Sequence, residues 1–202
     1  MVLVVFNDSS IDLKLAKSEI RKKVLTERLA LDKGEVAAKS RLINAALDTL
    51  EPLSKARVIM GYAPFRNEVD VMPWLLKKLA LGIKVLLPRV NTETGDLEAV
   101  PLLASDQMSI SKMGVSEPQG AGIDLQEIEA VIIPGVVFDR RGYRLGYGKG
   151  FYDRFLPRLR LETFCCAVAF ELQVVNEIPY EAHDFRVRYL VTESGVRQAS
   201  IS

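Results

Sequence analysis

The sequence VIMGYAPFRNEVDVMPWLLKKLALGIKVLL, residues 58–87, decides the fold. Residues 58–62 and 83–87 are short apolar runs, which are typical of buried strands. Residues 70–81 between them have helical periodicity, with a proline in the first turn and a glycine just past the end. Strand, helix and strand form a βαβ unit. Such a unit predicts parallel strands joined by a right-handed crossover, with helices covering the sheet.

The same alternation continues on both sides of this unit. Residues 130–137, 164–170 and 189–192 predict further strands, and residues 150–159 predict a helix. Residues 12–50 predict two helices, and the second of these begins with a capping box made by Asp32 and Glu35. Pro52 is expected to end this helix pair.

These elements predict the fold class. Residues 91–96 are a polar turn, and residues 114–122 are a loop rich in glycine and proline. We expect residues 1–202 to form a single α/β domain. Its open, mostly parallel, twisted sheet carries helices on both faces, in a Rossmann-like three-layer arrangement. Ligands of such sheets bind beyond the carboxyl ends of the strands.

Composition restricts the class of protein. Lys and Arg number 27 against 26 Asp and Glu, so no overall field draws the chain to nucleic acid or to anionic lipid. Residues 2–6 are too short for a signal-peptide core, and no apolar run approaches the roughly 18 residues of a membrane span.

Cys165 and Cys166 lie in a predicted buried strand. We expect reduced thiols there rather than a vicinal disulfide, and hence a cytoplasmic location.

A glycine-rich loop follows the strand predicted at residues 130–137. Gly146, Gly148 and Gly150 permit positive φ and close approach of a ligand, and the helix expected next presents free N–H groups. Phosphate is the natural ligand of such a loop. Phe151 stands where a dinucleotide-binding fingerprint requires glycine, and Gly150 stands where a Walker A loop requires Ser or Thr. The loop is therefore neither of those motifs.

Charge along residues 139–160 supports an anionic ligand. Seven cations against two carboxylates give this stretch +5, and because the whole chain carries +1, the remainder carries −4. Two other interpretations remain: a glycine turn beside a solvated basic helix, and a single-stranded nucleic-acid site using the interleaved aromatic rings. Against the second, helical spacing predicts that several apolar side chains here belong to the core, namely Tyr152, Phe155, Leu156 and Leu159.

The loop and its surroundings resemble the 5-formyltetrahydrofolate cyclo-ligase family, also called methenyltetrahydrofolate synthetases. The resemblance is carried by Phe138-Asp139, Gly142, Arg144-Leu145-Gly146, Gly148-Lys149-Gly150 and Tyr152-Asp153-Arg154-Phe155-Leu156. Further segments match in order: Lys17-Ser18-Glu19-Ile20-Arg21, Glu68-Val69-Asp70, Leu87-Pro88, Glu117-Pro118, Ile178-Pro179, His183-Asp184 and Val191-Thr192-Glu193. Together they span about residues 15–195 and leave residues 1–14 and the tail after Ser194 outside.

The resemblance implies an enzyme. In this family ATP phosphorylates the formyl oxygen of 5-formyltetrahydrofolate, N10 closes the ring, and 5,10-methenyltetrahydrofolate, ADP and phosphate are released. It implies ATP as co-substrate, Mg²⁺ as cofactor and small-molecule substrates, with no nucleic acid and no membrane partner. We expect a monomer. The alternatives are another ATP-using enzyme of this fold and a non-catalytic nucleotide or nucleic-acid binder.

The resemblance also assigns residues to roles. Those expected in catalysis are Lys149, Arg144 and Glu68. Those expected to bind ATP are Lys17, Arg21, Arg144, Gly146, Tyr147, Gly148, Lys149, Gly150, Phe151 and Tyr152. Those expected to bind the folate are Ala63, Glu68, Tyr147, Gly148, Lys149, Gly150 and Phe151. The expected Mg²⁺ ligands are Asp153 and Asp184.

Taken alone, each of these residues has an ordinary structural interpretation. Lys17 and Arg21 lie four apart on one helix face, which an anion would favour, but such a pair also suits a solvated surface. Asp153 and Glu68 suit the first turn of a helix, and Asp184 suits a loop. Two carboxylates are nevertheless enough for Mg²⁺ bound to phosphates.

Three further residues have specific expectations. Some members of the family carry arginine where this chain has Tyr147, so one cation fewer is available for phosphate or for the folate glutamates. Tyr147 is therefore expected to contact ligands through its backbone or ring. Trp74 is expected in the core, and His183, the single histidine, is expected to orient the Asp184 loop rather than to act as a base.

Overall fold

The structure is a computed structural model that describes residues 10–103, 108–111, 114–181 and 184–199. Its α-helices are α1 (Ser10–Leu29), α2 (Lys33–Leu47), α3 (Glu51–Lys55), α4 (Met72–Ala80) and α5 (Phe151–Phe155). Its strands are β1 (Val58–Met60), β2 (Lys84–Val90), β3 (Leu97–Pro101), β4 (Ser109–Ile110), β5 (Ser116–Glu117), β6 (Ala130–Ile133), β7 (Val137–Asp139), β8 (Arg144–Leu145), β9 (Phe164–Val168), β10 (Val174–Val175), β11 (Tyr189–Thr192) and β12 (Gly195–Gln198).

A seven-stranded sheet forms the centre of the fold, in the order β12-β11-β9-β6-β1-β2-β3. Its five inner strands are all parallel. The two outermost strands, β3 and β12, pair antiparallel with their neighbours. The predicted open, mostly parallel sheet is confirmed, whereas the two antiparallel edge strands were not predicted. None of the helices in the described ranges has the length and apolar character needed to cross a membrane.

Side chains alternate between the two faces of this sheet. On β1, Ile59 joins a core with α2, α3 and α4, while Met60 joins a second core with α5 on the opposite face. Successive residues of a strand point to opposite faces, so helices are required on both sides. Trp74 of α4 is 3% exposed and lies in the first core, as predicted.

The first two helices also form as predicted. Asp32 is the N-cap of α2: its carboxylate accepts from the backbone N–H of Glu35 at 2.8 Å, and the Glu35 carboxylate accepts from the backbone N–H of Asp32 at 2.9 Å. The expectation for Pro52 was wrong. Pro52 lies in the first turn of the short helix α3, where its missing N–H leaves no hydrogen bond unmade.

The single strand predicted over residues 130–137 is in fact two strands in two sheets. β6 ends at Ile133 in the central sheet, and β7 belongs to a small sheet ordered β10-β7-β8. Pro134 and Gly135 separate them. A Cβ atom on Gly135 would lie 2.5 Å from Cζ of Phe138, so only glycine fits where the chain turns. The turn directs the glycine loop over the carboxyl end of the central sheet.

The helix predicted over residues 150–159 is also shorter than expected. α5 ends at Phe155, and a 3₁₀ turn, Leu156–Arg158, follows. Pro157 has no N–H to continue the α-helical pattern. The prediction that Phe155, Leu156 and Leu159 belong to the core is confirmed, because each is at most 9% exposed.

Candidate active site

One cavity of about 780 Å³ opens at the carboxyl end of the central sheet. Its wall includes residues that follow β1 and β6 and the end of β2. Every residue predicted for the site lines it: Lys17, Arg21, Ala63, Glu68, Arg144, Gly146, Tyr147, Gly148, Lys149, Gly150, Phe151, Tyr152, Asp153 and Asp184. Apolar side chains complete the wall: Phe65, Pro88, Val90, Leu97, Val115 and Leu145. Which ligand each residue contacts stays a prediction.

The glycine loop has positive φ at two of its three glycines. Gly148 has φ of 89° and Gly150 has φ of 67°, a region that other residues rarely adopt. The expectation was wrong for Gly146, which is not in this region. Its carbonyl oxygen instead accepts a 2.7 Å hydrogen bond from Nε of Arg21 on α1. This bond ties the loop to α1.

The charge of residues 139–160 is not concentrated on the cavity. Of the seven cations in this stretch, only Arg144 and Lys149 line it. Arg154, for example, turns away to the carbonyl of Gly95 at 3.0 Å. A count along the chain ignores where side chains point, so the +5 overstated the local field. Lys17 and Arg21 of α1 bring further positive charge to the cavity wall.

Arg144 is a buried cation with one carboxylate partner. Its side chain is 3% exposed, and its Nη2 donates to Oδ1 of Asp153 at 2.6 Å. Burial lowers the pKa of Arg144, and the neighbouring Asp153 charge opposes that effect. Buried charges are costly unless paired, so Asp153 stabilises Arg144 in place.

Lys17 joins α1 to the loop that carries Asp184. Its Nζ lies 2.7 Å from Oδ2 of Asp184 and 2.9 Å from Oε2 of Glu181. Burial alone would lower the pKa of Lys17, but the bonds to Asp184 and Glu181 outweigh it and raise that pKa. His183, predicted to orient this loop, lies outside the described residues.

Glu68 is a buried carboxylic acid at the end of a strained turn. Arg66 and Asn67 before it have φ of 49° and 55°, and Nδ2 of Asn67 donates to the carbonyl of Leu31 at 2.9 Å. Glu68 is 7% exposed, and its Oε2 accepts from the backbone N–H of Phe65 at 3.0 Å.

Burial raises the pKa of Glu68 to about 7. The charge of Arg28 and hydrogen bonding from the Phe65 N–H and from Tyr147 lower this pKa, but by less than burial raises it. Such a group can hold or release a proton near neutral pH.

Arg28 was not predicted, although it shapes this site. It is fully buried on α1, with Nη1 donating to the carbonyl of Gly135 at 3.0 Å and Nη2 donating to the Tyr147 hydroxyl at 2.5 Å. Arg28 lies seven residues after Arg21, on the same face of the helix. The seven-residue spacing from Arg21 was the sequence signal that could have identified Arg28.

Asp153 and Asp184, the two carboxylates expected to bind Mg²⁺, do not by themselves complete a metal site. Among the described residues, no group of three or more His, Cys, Asp and Glu side chains could hold a metal. Asp153 and Asp184 nevertheless both line the cavity. A pair of oxygen donors suits Mg²⁺, which takes its remaining ligands from water and phosphate.

Residues 13–193 match the family model described as the 5-formyltetrahydrofolate cyclo-ligase family. The 5-formyltetrahydrofolate cyclo-ligase of Mycoplasma pneumoniae is 30% identical, over 78% of this chain and 87% of that protein. The Escherichia coli K12 enzyme of the same name is 28% identical, over 87% of this chain and 96% of that protein. The NMR structure of Aquifex aeolicus 5,10-methenyltetrahydrofolate synthetase superimposes with a TM-score of 0.80 at 33% identity, covering 92% of this chain and 94% of that one.

Proposed function

This chain belongs to the 5-formyltetrahydrofolate cyclo-ligase family, and we propose that it converts 5-formyltetrahydrofolate to 5,10-methenyltetrahydrofolate with hydrolysis of ATP to ADP and phosphate. One structural observation supports the proposal in addition to membership of the family. A glycine loop with cationic neighbours and a buried carboxylic acid of near-neutral pKa line the same cavity. The cavity is of the size that proteins use for small-molecule ligands.

The first step transfers the γ-phosphoryl group of ATP. The formyl oxygen attacks the γ-phosphorus, the bond to the β-phosphate oxygen breaks, and ADP leaves. Catalysis of such a transfer depends on positioning and on neutralising charge. Lys149, Arg144, Lys17 and Arg21 supply cations at the cavity wall, and the loop N–H groups at Gly148 and Gly150 supply hydrogen bonds.

The second step closes the ring. N10 attacks the activated formyl carbon, loses its proton, and the carbon–oxygen bond breaks with release of phosphate. Glu68 accepts the N10 proton, because a carboxylate with a pKa near 7 is matched to proton transfer at neutral pH. Ala63 and Phe151 provide apolar wall for the folate.

We assign Mg²⁺ binding to Asp153 and Asp184. The metal would supply charge neutralisation for the ATP phosphates. Each aspartate already has a cationic partner, Arg144 for Asp153 and Lys17 for Asp184. With Mg²⁺ held by the two carboxylates, Arg144 and Lys17 would be left to contact the ATP phosphates.

The test follows formation of the methenyl chromophore from 5-formyltetrahydrofolate with and without ATP and Mg²⁺. We expect product only when both are present. Lys149→Ala should lower turnover about a hundredfold, as loss of a transition-state donor does. Asp153→Asn should also lower turnover and weaken the dependence on Mg²⁺. Lys55→Ala, an exposed lysine paired with Glu51, is the control and should leave the rate unchanged. No chromophore from folded wild-type protein would contradict the proposal, as would a wild-type rate for Lys149→Ala.

A further inference from the structure

Arg28 is a buried cation that the reaction described above does not use. Its side chain makes two hydrogen bonds, to the Gly135 carbonyl and to the Tyr147 hydroxyl, while its Nε has no partner. A buried guanidinium with incomplete hydrogen bonding is expensive. Packing alone therefore does not explain why an arginine occupies this position.

The chemistry of the guanidinium fixes the direction of the next hydrogen bond. Arginine can only donate, so the Tyr147 hydroxyl oxygen accepts from Arg28 and its proton is directed elsewhere. Glu68 lines the same cavity as Tyr147, and Phe65 links the two: its ring lies edge-on to the Tyr147 ring, with centroids 5.9 Å apart, and its N–H donates to Glu68. Hydrogen bonding from Tyr147 lowers the pKa of Glu68. Burial raises the pKa of Tyr147 to about 12, so the phenol keeps its proton and acts as donor.

The Arg28–Tyr147–Glu68 chain thus runs from α1 through the glycine loop to the cavity wall. Tyr147 lies between Gly146 and Gly148, so the same residue belongs to the loop assigned to phosphate and lowers the pKa of the proposed base. We propose that Arg28 is a positioning residue that acts through Tyr147 to hold the Glu68 carboxylate in its reactive place and charge state. This inference rests on the proposed function.

The charged and titratable groups around Glu68 make the effect of Arg28 specific. Those that act on it or are affected by its charge are Arg28 from α1, Tyr62 after β1, Tyr147 from the loop and Tyr152 from α5. Burial raises the pKa of Tyr62 and of Tyr152, so both stay neutral near pH 7. Arg28 is the cation that lowers the pKa of Glu68. Arg66 and Arg144 also line the cavity, but their charges act on Tyr147 and Tyr152, and Asp70 acts on Tyr62.

Two variants test the chain, one at Arg28 and one at Tyr147. Arg28→Met removes the cation and keeps an unbranched apolar chain as far as the position of Nε. Tyr147→Phe removes only the hydroxyl, so it should fold even if the first does not. Both should move the acidic limb of the kcat/KM profile to higher pH, by on the order of one pH unit. Arg28→Lys, which keeps the charge, should shift it less. Arg41→Met, an exposed arginine of α2, is the control and should leave the profile unchanged.

A readout that needs no turnover separates this inference from the proposed function. In protein with carbon-13 at the glutamate side-chain carboxyls, the Glu68 resonance, assigned by its loss in Glu68→Gln, should titrate at higher pH in Tyr147→Phe and Arg28→Met. Unchanged titration in Tyr147→Phe would overturn the role of Arg28 even in an active enzyme. A shifted titration in a protein that forms no methenyl product would support the chain and refute the proposed reaction instead.

Discussion

Glu68→Gln is expected to stabilise the protein more at alkaline pH than at acidic pH. Burial raises the pKa of Glu68 from 4.5 to about 7 in the folded protein, so the folded state binds this proton more tightly than the unfolded state. The contribution of Glu68 to stability is therefore greatest below its ordinary pKa and is lost as pH rises to about 7. Glutamine cannot ionise and does not suffer this loss.

The size of the effect follows from the shift. Each pKa unit corresponds to about 1.4 kcal/mol, so the shift from 4.5 to about 7 makes the full cost of ionising Glu68 in the folded state about 3.5 kcal/mol. About 2.5 kcal/mol of this falls between about pH 5 and about pH 8. Glutamine can still accept from the Phe65 N–H, and any constant loss from the substitution cancels when two pH values are compared.

The measurement is urea unfolding of wild type and Glu68→Gln at those two pH values. The free energy of unfolding of the variant, relative to wild type, should rise by about 2.5 kcal/mol from the lower to the higher pH. Glu98→Gln is the control: hydrogen bonds from Arg89 and Asn91 lower the pKa of Glu98, so its contribution is lost only as pH falls below its ordinary value of 4.5, and this variant should change little relative to wild type between the two pH values. A difference between Glu68→Gln and wild type that does not change with pH would refute a buried, near-neutral Glu68.

Two further predictions concern α2 and β9. Asp32→Ala removes the 2.8 Å cap bond to the Glu35 N–H and should lower the free energy of unfolding by about 1 kcal/mol in urea titrations; an unchanged midpoint would mean that the cap contributes nothing. Cys165 and Cys166 are free thiols, and burial raises the pKa of Cys165 to about 12, so a disulfide reagent such as Ellman's should label them in urea but hardly at all in native protein. Equal labelling rates in both conditions would contradict their burial.

Periodicity predicted the inner sheet well because its strands are continuous apolar runs between turn signals. The strand at Tyr189–Thr192 has the predicted bounds, and the predicted helix at residues 70–81 contains α4. The edge strand Leu97–Pro101 was missed because only one of its sides pairs with a neighbour and its residues include a charge and a proline. The break at Gly135 was missed because the residues on both sides are buried. A continuous apolar run looks the same whether its residues form one strand or two strands in different sheets.

For the site, motif residues were predictable and their electrostatic setting was not. The glycine loop and its motif companions were found from spacing and resemblance, and they line one cavity. Arg28 was missed because an arginine on a helix resembles a surface cation until the fold buries it. The near-neutral pKa of Glu68 likewise depends on its burial behind the turn at Arg66 and Asn67, which only the folded chain produces.

The most direct test of the central claim measures two products in one reaction. With 5-formyltetrahydrofolate and ATP, methenyl absorbance and phosphate release should rise together, with one phosphate for each methenyl product, and both should stop when either substrate is exhausted. Phosphate release without methenyl product, or methenyl product without phosphate, would contradict ATP-driven ring closure by this chain.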